Sequence, residues 1–80
     1  MKRFPREVLN EIKWKDNRLF DVVIYYVNRG SPNNTATKSG RDIIKMDSFY
    51  VVFAGVPQET YIPYHRFKKI ELDGKIIFER

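Results

Sequence analysis

The residues whose types and spacing best suit chemistry are the adjacent pair His65 and Arg66. An arginine can donate two parallel hydrogen bonds to a phosphate, and a neighbouring histidine can donate a further one. The alternative is that His65 closes the turn after Pro63 by hydrogen-bonding to the backbone there. The pair therefore predicts either a phosphate-binding site or a capped turn.

A second candidate is Arg29, which directly precedes Gly30. Glycine allows a ligand to approach the backbone closely, and arginine supplies a contact to phosphate. Lys38 and Arg41 could add positive charge if the loop that follows folds back. The alternative is a turn that ends a strand and leaves Arg29 exposed to solvent.

A third candidate combines an aromatic residue with a cation, because Lys13 directly precedes Trp14. An exposed indole can stack on a nucleic-acid base, which contributes about 1–3 kcal/mol per base where such contacts exist. A single tryptophan in a small protein also commonly anchors the core, so both interpretations stay open. Among the tyrosines, Tyr64 is the one expected to be exposed.

Length and composition limit what these residues could form. The 80 residues are expected to make one domain, residues 1–80. The lack of cysteine excludes disulfides, thiolate zinc sites and cysteine nucleophiles. Fifteen Lys and Arg against ten Asp and Glu give a net charge of +5, which favours an anionic partner such as nucleic acid. No apolar run reaches the ~20 residues of a membrane span, so a soluble, cytoplasmic protein without a membrane partner is expected.

An enzyme is the less favoured class of function. Acid–base hydrolysis by a histidine pair needs two imidazoles, and the chain has one histidine. The sequence contains no glycine-rich loop of the phosphate-binding types. Asp42, Asp47 and Glu59 could contribute to a magnesium site by residue type alone. We therefore expect no catalytic residue, no cofactor and no bound metal.

The candidate residues must be positioned by one helix and a set of strands. Pro5 suits the first position of a helix, and apolar residues at helical spacing predict a helix over residues 5–14. Residues 19–28 carry apolar side chains on both faces, which predicts a central strand covered on two sides. The composition of residues 29–40 is typical of a long loop.

Strands at short spacing make up the rest of the chain. They are predicted over residues 41–46, 49–54, 59–62, 67–72 and 75–79. Asp47-Ser48 and Asp73-Gly74 would form hairpin turns, and a two-residue loop at the second would place Ile70 opposite Ile77. The predicted fold class is therefore α+β, with one N-terminal helix packed on a small antiparallel sheet of five to six strands that could close into a barrel.

The basic segment Arg66-Phe67-Lys68-Lys69 begins the last hairpin. Side chains of a strand alternate, so Arg66 and Lys68 would share one face and Phe67 and Lys69 the other. The cations would then not form a single stripe, and Lys68 would lie opposite Glu79. A solvated edge strand that is protected by its charges is the alternative to a ligand site.

Four segments of the sequence carry a family resemblance. They are residues 9–14, 26–30, 62–67 and 74–80. In this order they resemble the RNA cyclic group end recognition domain, a small, mainly archaeal domain of uncharacterised proteins. The Ile-Pro-Tyr-His-Arg motif at residues 62–66 is moderately specific, and the combination of all four segments is more so. The resemblance covers nearly the whole chain.

The resemblance implies RNA binding, with recognition of a 2′,3′-cyclic phosphate end as the role proposed for the family. Similar domains accompany RNA-processing and phosphoesterase-like modules in larger proteins. The residues that the motifs imply are Lys13, Trp14, Arg29, His65 and Arg66. The chain departs from the family pattern at Asn28, where an acidic residue is common, and in a longer turn at residues 55–58.

The alternative to an RNA partner is a protein partner. Strand edges and aromatic residues could serve a protein–protein adaptor or a homodimer, and the sequence leaves the oligomeric state open. Salt dependence separates the two functions, because binding led by phosphate contacts weakens steeply as salt rises. The favoured prediction is a binding module for a phosphorylated RNA end that does not catalyse a reaction.

Overall fold

Helix α1 extends from Pro5 to Glu11 in the computed structural model, which describes residues 4–80, residue 16 by its backbone only. Phe4 precedes the helix without a side-chain cap, so packing and the proline at the first position must hold this end. The predicted helix continues beyond Glu11 as a wider π-helical turn over Ile12–Asp16. Asn17 ends it in the left-handed conformation, with φ at 51°.

Seven strands follow within residues 4–80, and all neighbouring strands are antiparallel. They are β1 (Val22–Val27), β2 (Thr35–Ser39), β3 (Ile43–Met46), β4 (Tyr50–Phe53), β5 (Thr60–Pro63), β6 (Phe67–Leu72) and β7 (Lys75–Glu79). One sheet has the order β2-β1-β6-β7 and the other has the order β3-β4-β5. The α+β class with one N-terminal helix is confirmed. The barrel and the count of five to six strands are wrong, because the strands form two separate sheets and there are seven of them.

The additional strand is β2, which lies within the segment predicted to be a loop. Thr35 and Thr37 are β-branched and favour extended backbone, and β2 forms an edge of its sheet, where polar side chains are accommodated. The true loop is residues 28–34. It is closed by a backbone hydrogen bond of 2.8 Å from Asn28 N to Asn34 O. The Asn28 side chain also donates to Ser31 Oγ at 2.6 Å, which gives this residue a structural role.

The core lies between the helix and the inner faces of the two sheets. Its largest fully buried side chains are those of Phe53, Phe67, Leu9, Ile24, Ile70, Val8, Val22 and Val51. Strand β1 is central in its sheet, as predicted, but only one of its faces is covered. Val23 and Val27 on the other face are 36% and 39% exposed. The prediction of cover on both sides is therefore wrong, and one face of the four-stranded sheet is open.

The β6–β7 hairpin forms at Asp73-Gly74, as predicted, and both residues have positive φ, 55° and 79°. The expected pairing of Ile70 with Ile77 is wrong, because Ile70 lies opposite Phe78. A bulge in β7 accounts for the shift of one residue. Ile77 and Phe78 both pack against the core, which strict alternation along β7 would not allow.

A second bulge lies in β6. The pairing of β6 with β1 shifts between Tyr25, opposite Lys69, and Tyr26, opposite Phe67, so Lys68 is the extra residue. The predicted pair of Lys68 and Glu79 is also wrong, because Lys69 occupies the place opposite Glu79. These shifts change which cations of the basic segment lie together.

The β3–β4 hairpin turns one residue later than predicted. Asp47 N donates to Tyr50 O at 2.9 Å, so the loop consists of Ser48-Phe49 rather than Asp47-Ser48. Phe49 at its tip is 80% exposed. In the part of the chain that the structure describes, no helix has the length and apolar character needed to cross a membrane.

Candidate functional site

A cleft of about 820 Å³ opens where the start of α1 meets the β3–β4 hairpin and the turn before β6. The lining side chains that could contact a ligand are Phe4, Arg6, Phe49, Tyr64, His65 and Arg80. The lining thus contains two guanidinium groups and one imidazole, and it contains one carboxylate, that of Glu7. The cleft is therefore cationic and aromatic, a combination that suits a ligand with a phosphate and a base.

His65 reaches the cleft from a 3-10 turn over Tyr64–Arg66, between β5 and β6. Pro63 ends β5, and Tyr64 N donates to Phe49 O at 3.1 Å, which joins this turn to the hairpin tip. Within residues 4–80 the His65 imidazole has no hydrogen-bond partner. The capped-turn alternative is thus not what the structure shows, and both ring nitrogens are open to a ligand.

Tyr64 is the support beneath the cleft. The prediction that it is exposed is wrong, because it is only 8% exposed and its hydroxyl donates to Asp47 O at 2.9 Å. Its ring packs against Phe67 with centroids 5.5 Å apart. Burial raises the pKa of the Tyr64 hydroxyl, and the nearby Arg6 guanidinium partly opposes that rise. The hydroxyl therefore stays protonated at neutral pH, and Arg6 lies close to it.

Arg80 fixes the turn from the other side. Its Nε donates to Phe67 O at 2.5 Å and its Nη2 donates to Tyr64 O at 2.8 Å. The guanidinium carbon also lies 5.8 Å from the Phe78 ring centroid. A guanidinium has five N–H donors, so about three remain for a ligand. Arg80 thus both orders the turn that carries His65 and contributes charge to the cleft.

The other walls of the cleft come from residues that the sequence analysis did not single out as site residues. Phe4 and Phe49 are large exposed apolar side chains, and such groups beside cations suit stacking with a base. The only hint in the sequence was the aromatic residue Phe49 next to a predicted hairpin turn. Arg6 lies in no motif and Arg80 only ends a segment of the family resemblance, and it is the folded chain that brings both into the cleft of His65.

Three of the seven predicted site residues lie at the end of the four-stranded sheet where the cleft opens. They are Arg29, His65 and Arg66. Tyr26 pairs with Phe67, so the loop after β1 and the turn before β6 are neighbours. Arg66 is exposed in the same turn as His65, and Arg29 is exposed in the neighbouring loop.

The other four predicted residues lie elsewhere. Arg41 lines a separate cleft of about 420 Å³ with Arg18 and Phe20, which precede β1 and so lie at its opposite end. Lys38 lies opposite Ile24, midway along β1. The seven residues therefore do not form one site.

Lys13 and Trp14 lie in the π-helical turn that leads away from the cleft. Trp14 is 76% exposed, so the interpretation of this residue as a core anchor is wrong. The Lys13 Nζ lies 5.2 Å from the indole centroid, a cation–π contact that covers one part of the ring. No three His, Asp or Glu residues among those described converge into a group that could hold a metal ion.

Comparison with known proteins gives relatives from archaea. A UPF0248 protein of Pyrobaculum islandicum is 32% identical over 76 residues, which cover 94% of this chain and 87% of the relative. A UPF0248 protein of Methanococcus vannielii is 34% identical over 83 residues, which cover 86% of this chain and 95% of the relative. No solved structure matches the chain.

A family model matches the whole sequence. It is described as the MJ1316 RNA cyclic group end recognition domain, and it covers residues 1–80. The match spans the helix, both sheets and the turn that carries His65. The chain therefore belongs to the family of the MJ1316 RNA cyclic group end recognition domain.

Proposed function

We propose that this chain binds the phosphorylated end of an RNA, including a 2′,3′-cyclic phosphate end, in the cleft at the start of α1. The observation that carries the proposal is the meeting of His65, Arg6 and Arg80 with exposed Phe49 in one cleft of about 820 Å³. The name of the family supports the same class of ligand.

The cations account for the phosphate. A 2′,3′-cyclic phosphate carries one negative charge and two unesterified oxygens, which a guanidinium and an imidazole can contact together. Arg6 and His65 are both exposed at the cleft. Arg80 is held by its bonds to the backbone of the turn, so it presents its remaining donors with little loss of side-chain entropy.

The aromatic residues account for the terminal nucleoside. Base–aromatic stacking contributes about 1–3 kcal/mol per base and tolerates any base, because every base has a π-face. Phe49 at the hairpin tip and Phe4 before the helix are the exposed rings of the cleft. The cleft volume also lies in the range of about 300–1,000 Å³ that is usual for small-molecule sites.

Binding is proposed to occur without catalysis. Opening of a cyclic phosphate by general acid–base chemistry needs one group to activate water and another to protonate the leaving oxygen. His65 is the one histidine of the chain, and Glu7 is the carboxylate that lines the cleft. The arrangement thus supplies electrostatic contacts to the phosphate but no histidine pair.

Fluorescence anisotropy with short RNAs tests this proposal. RNAs that end in a 2′,3′-cyclic phosphate, a 3′-phosphate or a 3′-hydroxyl are compared at low and moderate salt. We expect the phosphorylated ends to bind roughly tenfold more tightly than the hydroxyl end, because each adds charge-assisted hydrogen bonds. Chromatography of the RNA afterwards should recover the cyclic phosphate intact. Equal affinity for the three ends would contradict end recognition, and release of a linear phosphate would contradict the non-catalytic role.

A further inference from the structure

A second cleft, of about 580 Å³, lies on the open face of the four-stranded sheet. Arg80 lines this cleft as well as the one that contains His65. The two clefts are therefore neighbours with a shared wall, and a chain-like ligand can pass from one to the other along Arg80.

The bulge in β6 supplies the second cleft with adjacent cations. Strict alternation would place Lys68 and Lys69 on opposite faces of the sheet, but the extra residue lets both line the same cleft. In the described part of the chain, neither lysine lies within ion-pair distance of a carboxylate. Glu79, opposite Lys69 in β7, is the carboxylate that lines this cleft. The lysines and Arg80 leave it with a net positive charge.

Both lysines are held in place by uncharged partners. Lys68 Nζ donates to Thr35 Oγ1 at 3.1 Å. Lys69 Nζ lies 4.3 Å from the ring centroid of Tyr25, whose hydroxyl donates to Glu71 at 2.6 Å. The lysines therefore have defined positions above the sheet, which suits repeated contacts to an anionic backbone.

Lys68 and Lys69, with the floor and rim of this cleft, form a surface that we call the track. It suits a single strand of nucleic acid. Val27 is partly exposed on the open face, and Pro32 and Asn33 form the rim. The rim belongs to the loop of residues 28–34, which its own hydrogen bonds hold in shape. Binding sites for single-stranded nucleic acid usually combine a positively charged groove with apolar surface between the cations.

We infer that the RNA strand leading to the bound end runs across the open face of this sheet, with Lys68 and Lys69 contacting its phosphates. This inference rests on the proposed function, since the end in the first cleft sets where the strand begins. RNA is favoured over a protein partner because neither lysine lies within ion-pair distance of a carboxylate in the described residues and because the track continues from the end site. The contacts are to the backbone, so they do not depend on the RNA sequence.

The test compares an RNA of two nucleotides with one of about eight, each prepared with a 3′-phosphate and with a 3′-hydroxyl end. The variant Lys68→Gln/Lys69→Gln is matched with Lys15→Gln/Lys75→Gln, which removes the same charge from exposed positions outside both clefts. We expect the first variant to bind the longer RNA roughly tenfold more weakly and the short one unchanged. The slope of log Kd against log salt concentration should fall by about 1.4 in this variant. Each of the two lost phosphate contacts contributes about 0.7 to that slope on a single strand.

Each result separates the track from the end site. An equal loss of affinity for the longer RNA in both variants would mean that Lys68 and Lys69 act only through the net charge of the protein. That result would overturn the track. Unchanged binding of the longer RNA in the Lys68→Gln/Lys69→Gln variant would overturn it too, while a retained preference for the phosphorylated end would leave the end site standing. If the wild-type protein shows no preference for the phosphorylated end, the end site in the cleft of His65 is overturned. Absence of RNA binding, with a protein bound on the sheet face instead, would overturn both.

Discussion

Replacing both Arg6 and His65 by alanine is expected to weaken binding of a 3′-phosphorylated RNA roughly tenfold, to the level of the hydroxyl end. Both side chains line the cleft from different elements, and each can donate a charge-assisted hydrogen bond to the phosphate. Such a bond contributes about 1.5–3 kcal/mol when it is shielded, and less at an exposed site such as this one. The residual binding should no longer distinguish phosphorylated from hydroxyl ends.

The controls separate loss of a contact from loss of charge or fold. Lys75→Ala removes one cation at the other end of the β6–β7 hairpin and should change affinity by less than threefold. Because Arg6 and His65 are exposed, the double variant should stay within about 1 kcal/mol of the wild-type stability. Anisotropy gives the affinities, and thermal unfolding followed by circular dichroism checks the fold. A double variant that is folded and still prefers phosphorylated ends would contradict the assignment of the cleft.

Gly40→Ala is expected to lower the stability of the protein by about 3 kcal/mol or more. Gly40 is buried, and an added Cβ would lie 1.9 Å from the Leu19 carbonyl oxygen and 2.7 Å from Val22 Cγ2. The nearer contact is with backbone, so no side-chain rotation relieves it. The turn that contains Gly40 would have to move away from the start of β1. For a domain of this size, the melting temperature should fall by roughly 12–24 °C.

Two other glycines provide matched controls. Gly30 and Gly74 have positive φ, and an added Cβ would meet nothing within 4 Å at either. Alanine there should cost only about 1–2 kcal/mol, for the left-handed backbone. Thermal unfolding of the three variants under one condition gives the comparison. A melting temperature for Gly40→Ala no lower than that of the controls would mean that the packing between Leu19 and Gly40 is not as described.

The sequence predicted best those elements whose information is local. The bounds of β6 and β7 follow from alternating side chains on either side of Asp73-Gly74, whose residues adopt positive φ readily. Strand β2 was missed because a short, polar, threonine-rich edge strand has the composition of a loop. The bulges were missed because they depend on which side chains the core accepts, as Ile77 shows.

The candidate site was only partly predictable for the same reason. His65 and its neighbours were identified from the types of residue and from their resemblance to a family motif. Arg6, Phe49 and Arg80 line the cleft of His65 from the helix, a hairpin tip and the end of the last hairpin, and no sequence pattern marked them as site residues. For Trp14 the sequence favoured the wrong environment. A lone tryptophan is commonly buried, but this one lies in a solvent-facing turn and is exposed.

Whether the phosphate end binds beside His65 can be read from the chemical shifts of backbone amides during titration with uridine 2′,3′-cyclic phosphate. We expect saturable changes that are largest in the segments lining the cleft. These segments include Arg6, Phe49, His65 and Arg80. Changes centred instead on Trp14 and Arg41, at the other end of the sheet, or no saturable change anywhere, would contradict binding beside His65.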